Sequence, residues 1–197
     1  MTTDRVWLFP VLRAVPAAAV ALVITFTADH SVLLGYLALG GFALTTGAVI
    51  LVGALRSGRR HNEILCQGLL LVAGGVIALL FTQLGLVYLL FLTSVLIGGS
   101  GILELTAGLR ARSREASARD WVFVGAASAL YAVLVLLIPA DFLQQVGAPG
   151  AGFPPLTASV ILVGSFGAYA AIVAVYLVIA GLSLKWAPRA STVSESR

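Results

Sequence analysis

Long, uninterrupted apolar runs constrain the fold of this chain more than any other feature. Runs such as AAAVALVITF and LLLVAGGVIALLF carry no charge, and 60% of the 197 residues are hydrophobic against 10% charged. A helix needs about 20 apolar residues to cross a bilayer. Backbone groups in lipid must find partners within the protein, which only helices and closed barrels provide. Because these runs do not alternate in polarity as barrel strands do, the sequence predicts an all-α, polytopic membrane protein.

Six stretches of the chain are apolar enough to span the membrane. We expect them to form a single membrane domain over residues 1–197, arranged as three helical hairpins, with a flexible cytoplasmic tail over 186–197. The predicted spans are 9–28, 32–55, 64–82, 87–109, 121–138 and 157–184.

The basic residues predict how these spans are oriented. All 12 Lys and Arg residues lie at the N-terminus, in RSGRRHNE, in RARSREASARD, in the C-terminal segment KWAPRASTVSESR or, for Arg13, at the entry of the first span. Short loops rich in Lys and Arg stay on the cytoplasmic side. Both termini are therefore expected in the cytoplasm and the protein in the cell membrane. The loop 139–155 is rich in Pro and Gly, so we expect it to be irregular and external.

The first span also has features of a cleavable signal peptide. Arg5 precedes the apolar run, and Ala28 stands before a polar loop. Phe26, however, occupies the position where cleavage needs a small residue, so we expect this span to be retained. The formal charge of +4 does not indicate nucleic acid, because the basic residues flank apolar runs instead of alternating with exposed aromatics.

Two segments that precede basic loops are similar to each other. GAVILVGALRSGRR (47–60) aligns without gaps with GILELTAGLRARSR (101–114), and VIAGLSLK (178–185) is a weaker counterpart of LTAGLRAR (105–112). These matches predict that the three hairpins derive from one repeated unit. A chance match is the alternative, because leucine and small residues dominate every span.

A Gly-rich apolar hairpin that closes on G-I-x-E-L-x-A-G-x-R-x-R resembles the short repeat of HdeD-type acid-resistance membrane proteins. The likeness extends over about residues 15–185, and the first hairpin departs from it with Ile50 in place of the glutamate. It implies a six-helix integral membrane protein, linked in some members to acid stress and without an established molecular activity. The residues that match most clearly are Gly101, Glu104, Gly108 and Arg110.

The segment GGSG at 98–101 also fits the GxSG pattern of rhomboid intramembrane proteases, whose nucleophile lies on the fourth of six spans. A serine nucleophile needs a base to accept its proton. In the rhomboid family the base is a histidine on the sixth span, where this chain has none. We therefore expect no enzymatic activity, and no spacing of His, Cys or Gly predicts a metal or cofactor site.

The simpler interpretation of these glycines is close helix packing. Helices in lipid associate by van der Waals fit, which small residues permit. We expect Gly47, Gly98, Gly101 and Gly108 to lie where helices approach each other.

Glu104 is the one acidic residue placed well inside a predicted span. It lies six residues before Arg110, roughly 9 Å along the helix. Ser100 and Gly108 share its face at four-residue spacing, so we expect Glu104 to face other helices. Arg13 lies at a similar depth, and it either pairs with Glu104 or snorkels to the headgroups. Since Ile50 stands at the equivalent position, Glu104→Ile is expected to preserve packing.

Two roles for Glu104 follow from this placement. It either fixes the register of neighbouring helices or serves as a protonatable carboxylate on a transport path. The candidate polar site is Glu104, Arg13 and Ser100. The leading hypothesis is a non-enzymatic membrane protein of the HdeD type that supports tolerance of envelope or acid stress. The alternative is a small transporter or channel that uses Glu104. Expected partners are the lipid bilayer and a second copy or another membrane protein, but no nucleic acid.

Overall fold

Six long helices account for most of the fold. The computed structural model describes residues 7–57, 62–113, 117–145 and 155–186. All six helices are long and apolar enough to cross a membrane, which confirms the predicted all-α, six-span fold. The elements are α1 (Leu8–Phe26), α2 (Val32–Ser57), α3 (Asn62–Leu80), α4 (Gly85–Ala111), α5 (Ala118–Leu136), β1 (Leu143–Gln144), β2 (Leu156–Thr157) and α6 (Ala158–Trp186).

The helix ends follow the limits of the apolar runs. Each end lies within three residues of the span limit read from the sequence. The shortest helices, α1, α3 and α5, have 19 residues each, which at 1.5 Å per residue matches a hydrocarbon core about 30 Å thick. Most of the predicted tail, from residue 187, and the loop histidine His61 lie outside the described residues.

Large apolar side chains cover the outer surface of the bundle. Leu22, Leu55, Leu80 and Leu130 are each more than half exposed, although an aqueous solvent would favour polar residues there. The side chains buried inside are smaller or polar at many positions, and they include Arg13 and Glu104 among the described residues. This distribution is what a lipid solvent requires of a helix bundle.

The closest packing joins α2 to α3, α4 to α5 and α1 to α6. Glycines make this approach possible: a Cβ atom on Gly47 would lie 2.9 Å from the carbonyl oxygen of Gly68, and one on Gly101 would lie 2.8 Å from that of Gly125. A Cβ on Gly181 of α6 would likewise lie 3.0 Å from the carbonyl oxygen of Trp7, just before α1. Helices α1 and α2, which residues 27–31 connect, pack less closely than these pairs. The same holds for α3 and α4, which residues 81–84 connect.

The connection between α5 and α6 contains a short strand pair. Strands β1 and β2 are antiparallel, with Leu143 opposite Thr157 and Gln144 opposite Leu156. Sequence analysis did not predict this pair, because two residues are too few to show the alternating pattern of a strand. Residues 146–154 of the same loop lie outside the described residues.

Candidate functional site

A buried ion pair joins α1 to α4. Arg13 donates from Nη1 to Glu104 Oε1 at 2.5 Å and from Nη2 to Oε2 at 2.8 Å. Only 6% of Arg13 and 1% of Glu104 is exposed. The structure thus places the arginine head inside the bundle and not at the headgroups. Parallel bonds of this kind are the strongest that a guanidinium and a carboxylate form.

Gln67 of α3 extends the ion pair into a larger cluster. Its Nε2 donates to Glu104 Oε2 at 2.8 Å and to Ser100 Oγ at 3.0 Å. We call Arg13, Gln67, Ser100 and Glu104 the polar centre. Sequence reasoning brought together three of these residues and missed Gln67. A signal was present, because Gln67 is the only Asn or Gln within the six predicted spans.

The electrostatics of the polar centre explain why lipid-embedded helices can contain it. The single positive and single negative charge balance, and each carboxylate oxygen accepts at least one hydrogen bond. An unpaired charge at membrane depth costs about 2.5–3.5 kcal/mol on insertion scales, and a hydrogen-bonded partner offsets much of that cost. The polar centre is therefore a neutral cross-link among α1, α3 and α4.

A small cavity lies beside the polar centre, where all six helices meet. The volume open to the centre of a water molecule is about 20 Å³. Polar residues that line it are Arg13, Thr46, Gln67, Ser100, Glu104, Ser128 and Tyr169.

Aromatic rings cluster at the cavity, and two of them, Phe42 of α2 and Tyr169 of α6, line it. Tyr169 stacks on Tyr131 with ring centroids 4.7 Å apart, and its hydroxyl lies 2.7 Å from Ser128 Oγ. The ring of Phe42 meets that of Phe166 edge to face at 5.6 Å. The cavity is therefore lined by both polar groups and apolar side chains.

The surroundings of Ser100 differ from those of a serine nucleophile. Its hydroxyl accepts a hydrogen bond from Gln67. The one histidine that the structure describes, His30, lies in the loop after α1, where its Nδ1 is 3.3 Å from Ala28 O. Among the described residues no group of three or more His, Cys, Asp or Glu is placed to hold a metal ion.

The four glycines expected to pack helices all lie against neighbouring helices. A Cβ on Gly101 or Gly108 would come within 2.8 Å of a backbone nitrogen of α5, while one on Gly98 would meet Ala132 Cβ at 2.8 Å. Gly47 faces the backbone of α3 in the same way. These contacts place α4 and α5 close enough that no side chain fits between them at Gly101 and Gly108.

Six apolar helices around a buried, ion-paired centre define a multi-pass helical membrane protein. No family model, no curated protein and no solved structure matches the chain. The resemblance to HdeD-type proteins therefore stays a prediction.

Proposed function

We propose that this chain is a non-enzymatic, multi-pass membrane protein of the HdeD type, in which the polar centre holds the helices in register. The observation that carries the proposal is that both oxygens of Glu104 are already occupied, by Arg13 and by Gln67. A carboxylate that takes up and releases protons during transport needs to exchange its partners, whereas a fixed, bidentate pair favours a structural role.

The positions of the residues that line the cavity support an internal repeat. When the alignment of 47–60 with 101–114 and of 105–112 with 178–185 is extended toward the N-terminus, Thr46, Ser100 and Val173 take equivalent positions. All three line the cavity. Three related units placed around one axis account for this, and in that arrangement Glu104 is an addition at a position where the other units have Ile50 and Leu177.

The proposed physiological role is tolerance of acid stress at the cell envelope, and it rests on the resemblance to HdeD-type proteins. We expect a strain that lacks this protein to survive an acid challenge less well than its parent, and a plasmid copy of the wild-type chain to restore survival. The empty plasmid serves as the control. Equal survival of the deletion strain and its parent would remove the stress role and leave the structural role of the polar centre untouched.

We further propose that both termini are cytoplasmic and that the protein resides in the cell membrane. Because successive spans alternate in direction, helices α2, α4 and α6 end on the same side of the bundle. Basic residues lie at those ends, as the retention of basic residues predicts: Arg56, Arg110, Arg112 and Lys185. The contact of Lys185 with the ring of Trp7, 4.8 Å from the centroid, supports placing the start of α1 and the end of α6 on that same side.

Cysteine labelling tests this orientation. The only cysteine, Cys66, is first replaced by serine, and a single cysteine is then introduced at Asp29 or at Ser113, both exposed. In right-side-out vesicles a membrane-impermeant thiol reagent should label Asp29→Cys and not Ser113→Cys, whereas both should react after permeabilisation. The opposite pattern would reverse the topology.

The cavity favours one other candidate function, a small transporter or channel. Its lining includes Glu104 and residues of all six helices, as expected of a site on a path through the bundle. A volume of about 20 Å³ is too small for continuous passage, so transport would require the helices to separate or a homo-oligomer to form. Proton or ion flux into liposomes that contain the purified protein would support this candidate, and its absence over a wide pH range would favour the structural role.

A further inference from the structure

Three buried polar atoms at the cavity have no hydrogen-bond partner among the described residues. They are Arg13 Nε, Thr46 Oγ1 and Gln67 Oε1, and all three residues line the cavity. The side chains are deeply buried, with exposed fractions of 6%, 5% and 1% respectively. Buried polar groups nearly always have a partner, either in the protein or in an ordered water molecule, and lipid supplies none.

The Thr46 hydroxyl differs from three other hydroxyls within the helices. Thr45, Ser94 and Ser128 each donate to the carbonyl oxygen four residues earlier on their own helix, which is the usual way for a hydroxyl in a helix to be satisfied. Thr46 has the same option and makes no such bond. Its hydroxyl is therefore free for a partner in the cavity.

The orientation of the Gln67 amide follows from its neighbours. The Glu104 carboxylate only accepts hydrogen bonds, so the amide nitrogen of Gln67 must face it. This leaves Oε1, which only accepts, on the other side of the amide. Arg13 Nε only donates, and the Thr46 hydroxyl does either. A single group that satisfies all three atoms must therefore both accept and donate.

The charge and the size of the cavity limit the ligand further. Arg13 and Glu104 neutralise each other, so a bound cation would meet the guanidinium and a bound anion the carboxylate. A site needs about 10–15 Å³ for the centre of a water molecule, and the cavity offers about 20 Å³. These values fit one water molecule and leave too little room for a larger neutral ligand.

We propose that the cavity is an internal water site. One water molecule accepts a hydrogen bond from Arg13 Nε and donates to Gln67 Oε1 and Thr46 Oγ1. It thereby joins α2 to the polar centre, which otherwise connects only α1, α3 and α4. Ser128 of α5 and Tyr169 of α6, whose hydroxyls pair, also line the cavity.

Replacing Thr46 by valine tests this proposal. Thr46→Val keeps the shape of the side chain and removes the hydroxyl. If water is bound, this variant should melt about 2–4 °C below wild type, as the loss of one hydrogen bond predicts for a chain of this size. If the cavity is dry, it should melt at or above wild type, because it removes an unpaired buried hydroxyl.

A matched control and a direct observation complete the test. Thr45→Val makes the same change one residue earlier, where the hydroxyl is exposed and already bonded to Gly41 O, so it should leave the melting temperature nearly unchanged. A high-resolution experimental structure of the full chain in lipid should show one water within hydrogen-bond distance of Arg13 Nε and Gln67 Oε1. An empty cavity in such a structure, or a Thr46→Val variant that melts at or above wild type, would overturn the proposal.

Discussion

Replacing Glu104 alone with isoleucine is expected to lower the free energy of unfolding by about 3–5 kcal/mol, because it leaves a buried arginine without its counter-charge. Arg13 is 6% exposed and both of its terminal nitrogens bond to that carboxylate. Arg13→Met should lower the free energy of unfolding by a similar amount, since it leaves the buried carboxylate without its counter-charge. Equilibrium unfolding of the purified protein in mixed micelles or bicelles measures both losses.

The double variant Arg13→Met with Glu104→Ile is the matched control. Replacing a whole buried ion pair by apolar residues of similar volume is often neutral or stabilising, so the double variant should recover most of the stability that either single variant loses. Additive losses would show that the two side chains act independently and would contradict the cross-link. The same double variant is the better comparison in a flux experiment, because it removes the carboxylate without leaving a buried charge.

This expectation revises what the repeat suggested about Glu104. Ile50 occupies the equivalent position in α2 and is itself buried, which indicated that isoleucine would also be accommodated at position 104. That comparison considers only the shape of the site. The structure adds Arg13, whose charge makes the single substitution costly although the volume of isoleucine fits the fold elsewhere.

Gly101→Ala is expected to destabilise the bundle by about 1–3 kcal/mol, the usual cost of overpacking. The added Cβ atom would lie 2.7 Å from Ser128 Cβ and 2.8 Å from both Ala129 N and Gly125 O. Two of these contacts are with backbone atoms, which cannot rotate away, so α4 and α5 must separate. Denaturant unfolding of the variant beside wild type measures the effect.

Gly41→Ala is the control for this prediction. A Cβ atom there would meet nothing within 4 Å, and alanine favours a helix over glycine by about 0.8–1 kcal/mol. This variant should be as stable as wild type or slightly more stable. If the two alanine variants had the same stability, close packing at Gly101 would not contribute to the fold.

Much of the polar centre was accessible from local sequence. The small residues three and four positions from Glu104 indicated that it faces other helices, because helix geometry alone determines which side chains share a face. The choice between pairing and snorkelling for Arg13 could not be made in that way. It depends on where α1 lies relative to α4, and the two residues are 91 positions apart in the chain.

Gln67 is a second case in which local sequence does not identify the partners of a buried polar residue. Its amide was visible as the only one within a predicted span, but nothing near it in the chain indicates a partner. Its hydrogen bonds reach residues 33 and 37 positions away, so its role depends on how α3 packs against α4.

The sequence by itself determined the membrane class, the six helices and their approximate ends, because each of these depends on the transfer of local apolar segments from water to lipid. Only the tertiary structure decided that α1 packs with α6, that Gln67 joins the ion pair, and that a cavity forms where the six helices meet. These features depend on distances between segments remote in the chain, and the apolar character that places every helix in lipid does not distinguish one helix partner from another.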